Sequence, residues 1–299
     1  MKEETAIAKN KFLEYLQIEK NYSSYTIEFY QKDVEHFISF MIEQCIETLD
    51  QVEYFDARLY VTSLFEQKYA RTSASRKISS LRSFFKFLLR EKVVHDNPFA
   101  LVIQPKKGRK LPSFLYEEEM NQLFASCDTS TPLGLRNLAL MELLYATGIR
   151  VSECANIQIN DLDLELSTLL VKGKGRKERY VPFGAFAAES IESYLGHARG
   201  KLIGSSEHPY VFVNARGGPL TARGIRYILN DIMNKASMSG KIHPHMFRHS
   251  FATHMLNNGA DMRTVQELLG HSHLSSTQVY THVTKDHLRK TYMNSHPRA

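Results

Sequence analysis

One stretch of this 299-residue chain concentrates groups able to act on a phosphate ester. In HPHMFRHSFATHML, residues 243–256, His245 and Arg248 are spaced i, i+3 and share one helix face. Phe247, Phe251 and Met255 recur at i, i+4, i+8 and form the stripe to be buried. A guanidinium can hold phosphate oxygens bidentately, and an imidazole can move a proton near neutral pH. Helix caps and core histidines often give the same letters, so the pair alone leaves the question open.

Four further positions carry matching chemistry. Arg150 follows LRNLALMELLYATG, an apolar helix that Gly148 should stop. The plain alternative for it is a surface ion pair with Glu153. Lys174 lies in LLVKGKGRKERYVP, which reads as a hairpin with strands Leu169–Val171 and Arg179–Val181. Its cations Lys172, Arg176 and Lys177 suit a DNA groove or phosphates, although lysines also protect a solvated sheet edge. His271 comes just past Gly270, where a helix containing Val265, Leu268 and Leu269 should end. Tyr280 follows Ser275 and Ser276, either of which can cap a short helix. A tyrosine there is commonly a packing residue with a wet hydroxyl.

A metal would be an obvious rival. Nine of the 13 histidines fall between 243 and 296, which invites a zinc site. No HExxH occurs, His249 and His254 are five apart and diverge on a helix, and carboxylates are scarce there. No catalytic metal and no other cofactor is expected.

The elements that would position these groups are mostly helical. Pro244 fits a first helical turn ahead of Phe247. Upstream, helices are predicted over roughly 3–19, 24–43 and 53–67, the second capped by Ser23 or Ser24. Charge is segregated between the segments. Residues 1–67 carry 6 basic and 13 acidic side chains, whereas 68–110 carry 12 basic and 2 acidic, so the positive surface is local. In RTSASRKISSLRSFFKFLLREK, the apolar stripe leaves Arg76, Lys77, Arg82 and Lys86 largely off it, interleaved with serines. Short hydroxyls and long cations on one helix suit phosphate oxygens, making this a candidate DNA-facing helix. Asn97-Pro98 should end it. Three parts follow: a helical domain over 1–103, a basic linker over 104–115 and a second domain over 116–299.

Composition bounds the rest. Hydrophobic residues at 43% and charged residues at 23% exclude a disordered chain, a collagen and a disulfide-stapled miniprotein. Three scattered cysteines argue for a reducing compartment. MKEETAIAKNKF is a polar helix start, and no apolar run reaches the ~20 residues that a bilayer requires. A cytoplasmic protein without membrane insertion is expected. The net charge of +6 permits a nucleic-acid partner without demanding one.

The motifs together narrow the reading. ATGIRVSE, GKGRKER, HPHMFRH, LLGHS and TQVYTHV, in that order, resemble the tyrosine recombinase (phage integrase) family. The start LEYLQIEKNYSSYTI and the ending HPRA are similar to its Xer subfamily, most of all the XerC type. The resemblance implies a mainly α protein of two domains. One is a helical, SAM-like core-binding domain, the other a mostly helical catalytic domain with a small antiparallel sheet, and together they form a clamp around DNA. It implies Tyr280 as nucleophile of a 3′-phosphotyrosine intermediate and Arg150 and Arg248 as the phosphate clamp. His245 would assist proton transfer, Lys174 would be the general acid and His271 would hold the phosphate. It further implies a double-stranded recombination site, a second Xer-type recombinase in a heterotetramer, a cell-division DNA translocase and resolution of chromosome dimers. The tail from 286 to 299 would dock on a neighbouring protomer, with local packing as the alternative. A XerD-type enzyme, a phage or transposon integrase, a type IB topoisomerase-like enzyme and a non-catalytic DNA-binding protein are the competing readings.

Overall fold

The chain divides into two units, Met1–Lys110 and Leu111–Ala299. The computed structural model describes residues 2–104, 114–173, 178–236, 245–270 and 282–299. Lys174, Arg176, Lys177, His271 and Tyr280 therefore lie outside the described residues.

The first unit packs α1 (Lys2–Ile18), α2 (Ser24–Glu43), α3 (Tyr54–Glu66) and α4 (Arg71–Arg90). Aromatic residues from all four helices make its core. Phe12 meets Phe84 at 5.1 Å between ring centroids, and Phe37 meets Tyr60 at 5.1 Å edge-on. Such pairs add about 0.5–1.5 kcal/mol beyond the area they bury. The Ser23 hydroxyl accepts from the Thr26 N–H and starts α2 where the cap pattern places it.

The end of α4 differs from expectation. The helix stops at Arg90, well before Pro98, because Lys92 turns left-handed at φ 58°. The Val93 N–H then closes on the Leu88 carbonyl at 2.9 Å, a Schellman-type finish that needs no proline.

The second unit is built around α6 (Pro132–Thr147), which follows α5 (Glu117–Ala125). Thr131 caps α6 and Pro132 occupies its first turn. Ala139, Leu140, Leu143, Leu144 and Tyr145 are all buried, so this helix is enclosed on several sides rather than amphipathic. After α7 (Val151–Ala155), strands β1 (Leu162–Asp163), β2 (Thr168–Lys172) and β3 (Glu178–Pro182) form an antiparallel sheet in sequence order. Leu169 pairs with Val181 and Val171 with Arg179, which is the hairpin read from sequence. The short β1 was not foreseen.

Helices α8 (Ala185–Tyr194), α9 (Gly200–Ile203), α10 (Ala222–Lys235), α11 (His245–Asn257), α12 (Met262–Leu269) and α13 (His282–Ser295) complete the unit, with α8 and α11 against α6. A π-helical turn over Leu195–Arg199 joins α8 to α9. No helix among the described residues is long and apolar enough to cross a membrane.

Within this single chain the tail packs on its own unit. Its Leu288 and Tyr292 fill the core, and His296 stacks on Tyr292 at 4.9 Å. Arg298 ion-pairs with buried Glu142, between Phe186 at 3.9 Å and Phe124 at 4.5 Å.

Candidate active site

The site begins where α6 must stop. Gly148 is left-handed at φ 58°, and a Cβ there would lie 2.5 Å from Phe251 Cδ1 and 2.8 Å from Leu269 Cδ2. A side chain would both strain the backbone and overlap α11 and α12. The absent side chain lets three elements converge on the turn that carries Arg150.

Arg150 is the N-cap of α7. Glu153, three residues on, accepts from the Arg150 backbone N–H at 2.8 Å and from its Nη1 at 2.9 Å. Burial alone would raise the Glu153 pKa. Hydrogen bonds from Arg179, from the Arg150 backbone and from the Arg150 side chain instead hold it below the ordinary carboxylate range. The Arg150 side chain stays 41% exposed, so it keeps donors toward solvent. The bland ion pair of the sequence reading thus exists, and it orients the arginine.

Arg248 arrives from α11. Its Nη1 donates to the Gly148 carbonyl and its Nη2 to the Leu269 carbonyl, each at 2.8 Å. Burial, then the positive charge of Arg150, push its pKa down to about 10, and Glu153 opposes them. At that value the Arg248 guanidinium remains charged at neutral pH. Among the described residues no carboxylate is bonded to Arg248, and the one at Arg150, Glu153, is shared with Arg179, so three guanidiniums gather around one carboxylate. This is a local surplus of positive charge suited to a phosphate diester. His245 opens α11 and is exposed, one turn before Arg248 on the same face. Among the described residues no three His, Cys, Asp or Glu side chains gather as metal ligands.

The cations read as DNA contacts fare unevenly. Lys172 is half-exposed at the base of the hairpin, and its ammonium donates to Asp161 at 2.6 Å, which raises its pKa. On α4, Lys86 is exposed. Arg76 ion-pairs with Asp33 and lies 4.8 Å from the Phe29 ring. Lys77 is a correction. It is only 5% exposed, with its ammonium 3.6 Å from the fully buried Asp33 and 5.2 Å from the Tyr69 ring. Ser80 also donates to Asp33 at 2.7 Å. α4 is packed by α1, α2 and α3, so its buried face is wider than the apolar stripe and takes in Ser75, Lys77 and Ser80. Arg82 stays partly exposed while donating to the Phe99 and Val102 carbonyls at 2.9 and 2.7 Å, which fastens the segment after α4.

Two residues that matter escaped the sequence reading. Glu153 was weighed only as a partner on a surface, and Arg179 only as the first residue of a strand in the basic hairpin. Strand β3 alternates, so Arg179 points inward in phase with Val181, and that alternation was the available signal.

The family model described as "Phage integrase family" matches residues 113–287, and that described as "Phage integrase, N-terminal SAM-like domain" matches residues 10–92. The chain belongs to the phage integrase family. The tyrosine recombinase XerC of Anoxybacillus flavithermus is 58% identical over 292 residues, covering 97% of each chain. That of Bacillus subtilis is 55% identical over 290 residues, covering 96% of this chain and 95% of the relative. Among solved structures, XerH site-specific recombinase bound to difH substrate, a pre-cleavage complex, is 25% identical with a TM-score of 0.67. That likeness covers 94% of this chain and 82% of the other. This phage integrase family member is a DNA-breaking and rejoining enzyme of the XerC type.

Proposed function

We propose that this tyrosine recombinase cuts one strand of a double-stranded recombination site through a 3′-phosphotyrosine at Tyr280. The observation that carries the reading is the convergence of Arg150 and Arg248 on one turn, both charged and with donors to spare. A phosphodiester resists attack because it is negative, and fixed cations meet the charge that grows on its non-bridging oxygens. His245, one helical turn from Arg248, assists transfer of the tyrosine proton. Lys174 protonates the leaving 5′ oxygen, and His271 donates a hydrogen bond to the phosphate. A tyrosine ionises near pH 10 unaided, so its attack depends on that positive field. The phosphotyrosine keeps the bond energy, and the 5′ hydroxyl of a partner strand reverses the reaction without ATP.

Lys86 and Lys172, with Arg176 and Lys177, contact the DNA backbone. The enzyme works in the cytoplasm with a second Xer-type recombinase, as a heterotetramer on two sites, and resolves chromosome dimers at cell division under a DNA translocase. Exchange of segment 286–299 between protomers, on the socket it fills here within one chain, belongs to that assembly.

The test uses a nicked duplex carrying the chromosomal segment that the protein protects from nuclease. Chelator is present and a partner recombinase is supplied. Wild type should yield a denaturant-resistant protein–DNA adduct and Tyr280→Phe none. No adduct with either protein, despite tight binding, would leave a DNA-binding protein without catalysis.

A further inference from the structure

Arg179 sits at the junction of three parts of the site. It is buried in β3, five residues after Lys174. Its Nη1 and Nη2 donate to Glu153 at 3.3 and 3.1 Å, one to each carboxylate oxygen. Its Nε donates to the Leu268 carbonyl at 3.0 Å. The next carbonyl, that of Leu269, takes Arg248. Gly270 ends α12 left-handed at φ 66°, and a Cβ there would come within 3.0 Å of the Arg179 guanidinium. The bonds form a circuit, from Arg150 through Glu153 and Arg179 to Leu268, and from Leu269 through Arg248 back to Gly148.

This circuit answers a difficulty in the site. A carboxylate beside a phosphate site repels the substrate and competes for Arg150. With Arg179 in place, Glu153 is already matched and its geometry is fixed, so Arg150 retains donors for a phosphate. A fork is needed for this, since one guanidinium grips a carboxylate and a backbone carbonyl at once. We infer that Arg179 is a positioning residue for strand cleavage: it neutralises and orients Glu153 beside Arg150 and ties strand β3 to the end of α12. The inference rests on the phosphotyrosine reading given above.

The experiment compares wild type, Arg179→Met, Arg179→Lys and the double variant Arg179→Met/Glu153→Gln on the same nicked duplex. It records DNA affinity, the single-turnover rate of adduct formation from pH 5.5 to 8, and the melting temperature. Arg179→Met should bind DNA within about twofold of wild type yet cleave about 100-fold more slowly, the scale of a 1 Å misplacement. Buried Glu153 would then face Arg150 on its own helix and Arg248 from α11 without its β3 partner. Burial would raise its pKa, and protonation would release Arg150. The deficit relative to wild type should therefore shrink as pH falls. The double variant removes the competing charge and should recover at least about tenfold of the rate, with no pH dependence beyond that of wild type. Arg179→Lys, which keeps the charge and loses the fork, should fall between wild type and Arg179→Met, and it carries the comparison if Arg179→Met does not fold. A wild-type rate in Arg179→Lys and in Arg179→Met overturns the inference. So does a deficit that follows melting temperature, ignores pH and is not recovered in the double variant, which would make Arg179 structural alone. Absence of adduct with wild type overturns the phosphotyrosine reading and this one with it, and is recognised because the wild-type reaction itself fails.

Discussion

Arg248 and Gly148, 100 residues apart in sequence, are joined by a 2.8 Å hydrogen bond from guanidinium to carbonyl. The carbonyl faces Arg248 because Gly148 is left-handed, and a Cβ there would overlap Phe251 and Leu269. Gly148→Ala should therefore act twice. Left-handed strain costs about 1–2 kcal/mol and overpacking about 1–3 kcal/mol. We expect a loss of about 2–5 kcal/mol in urea unfolding, and adduct formation reduced further than the residual folded fraction explains. A variant with wild-type stability would refute the overlap argument.

Arg150 and Arg248 should fail differently from the hairpin cations. Arg150→Lys or Arg248→Lys keeps the charge and loses the planar fork. Each should slow adduct formation by about 10²–10³, the scale for losing one preorganised donor, while DNA affinity changes little. Lys172→Ala removes an ammonium already paired with Asp161, so it should lower affinity and flatten its salt dependence with little change in cleavage rate. Gel-shift titrations at two salt concentrations beside single-turnover cleavage separate the two behaviours.

How far these features are legible in sequence depends on their physical origin. Helices α1, α2 and α3 and the β2–β3 hairpin follow from periodicity, caps and glycines, and the structure places them within one or two residues of expectation, whereas α4 stops at Arg90, short of the Pro98 expected to end it. Gly148 announces the stop before Arg150 because left-handed caps favour glycine. Arg248 beside Arg150 was legible only through the family's motif order, since no local rule joins residues 100 apart. Lys77 was misread because a cation on an amphipathic helix ordinarily faces water. A buried Asp33 on α2 overrides that, and no spacing on α4 reveals it. Arg179 shows the same loss on a strand, a buried charge whose alternation in phase with Val181 was the available signal.

Asp33 anchors α4 from within. It is fully buried and takes Arg76, Lys77 and Ser80, while burial pulls the Lys77 pKa down against the opposing pull of Asp33. Asp33→Ala leaves the Lys77 ammonium buried without its partner, a change worth about 3–5 kcal/mol. The first unit should unfold at lower urea, whereas Lys86→Ala should leave stability alone and weaken DNA binding. If Asp33→Ala and Lys86→Ala shift the urea midpoint equally, the buried-anchor account is wrong.

The tail makes stability depend on pH. His296 is held neutral, its pKa pushed down to about 3 by burial, with the Tyr145 carbonyl opposing and His254 and Arg298 adding repulsion. Unfolded, a histidine titrates near 6.5. As pH falls below about 6.5 the unfolded chain binds a proton that the folded chain refuses until about pH 3, so stability drops across that window. The drop from His296 is about 2 kcal/mol at pH 5. His254, whose pKa is also lowered by burial, adds in the same direction and is common to both proteins compared. Urea unfolding at pH 7.5 and pH 5 should show wild type losing about 2 kcal/mol more than His296→Phe, whatever their difference at pH 7.5. Equal losses would mean that the His296 ring takes up its proton without leaving its place between Tyr292 and Tyr145.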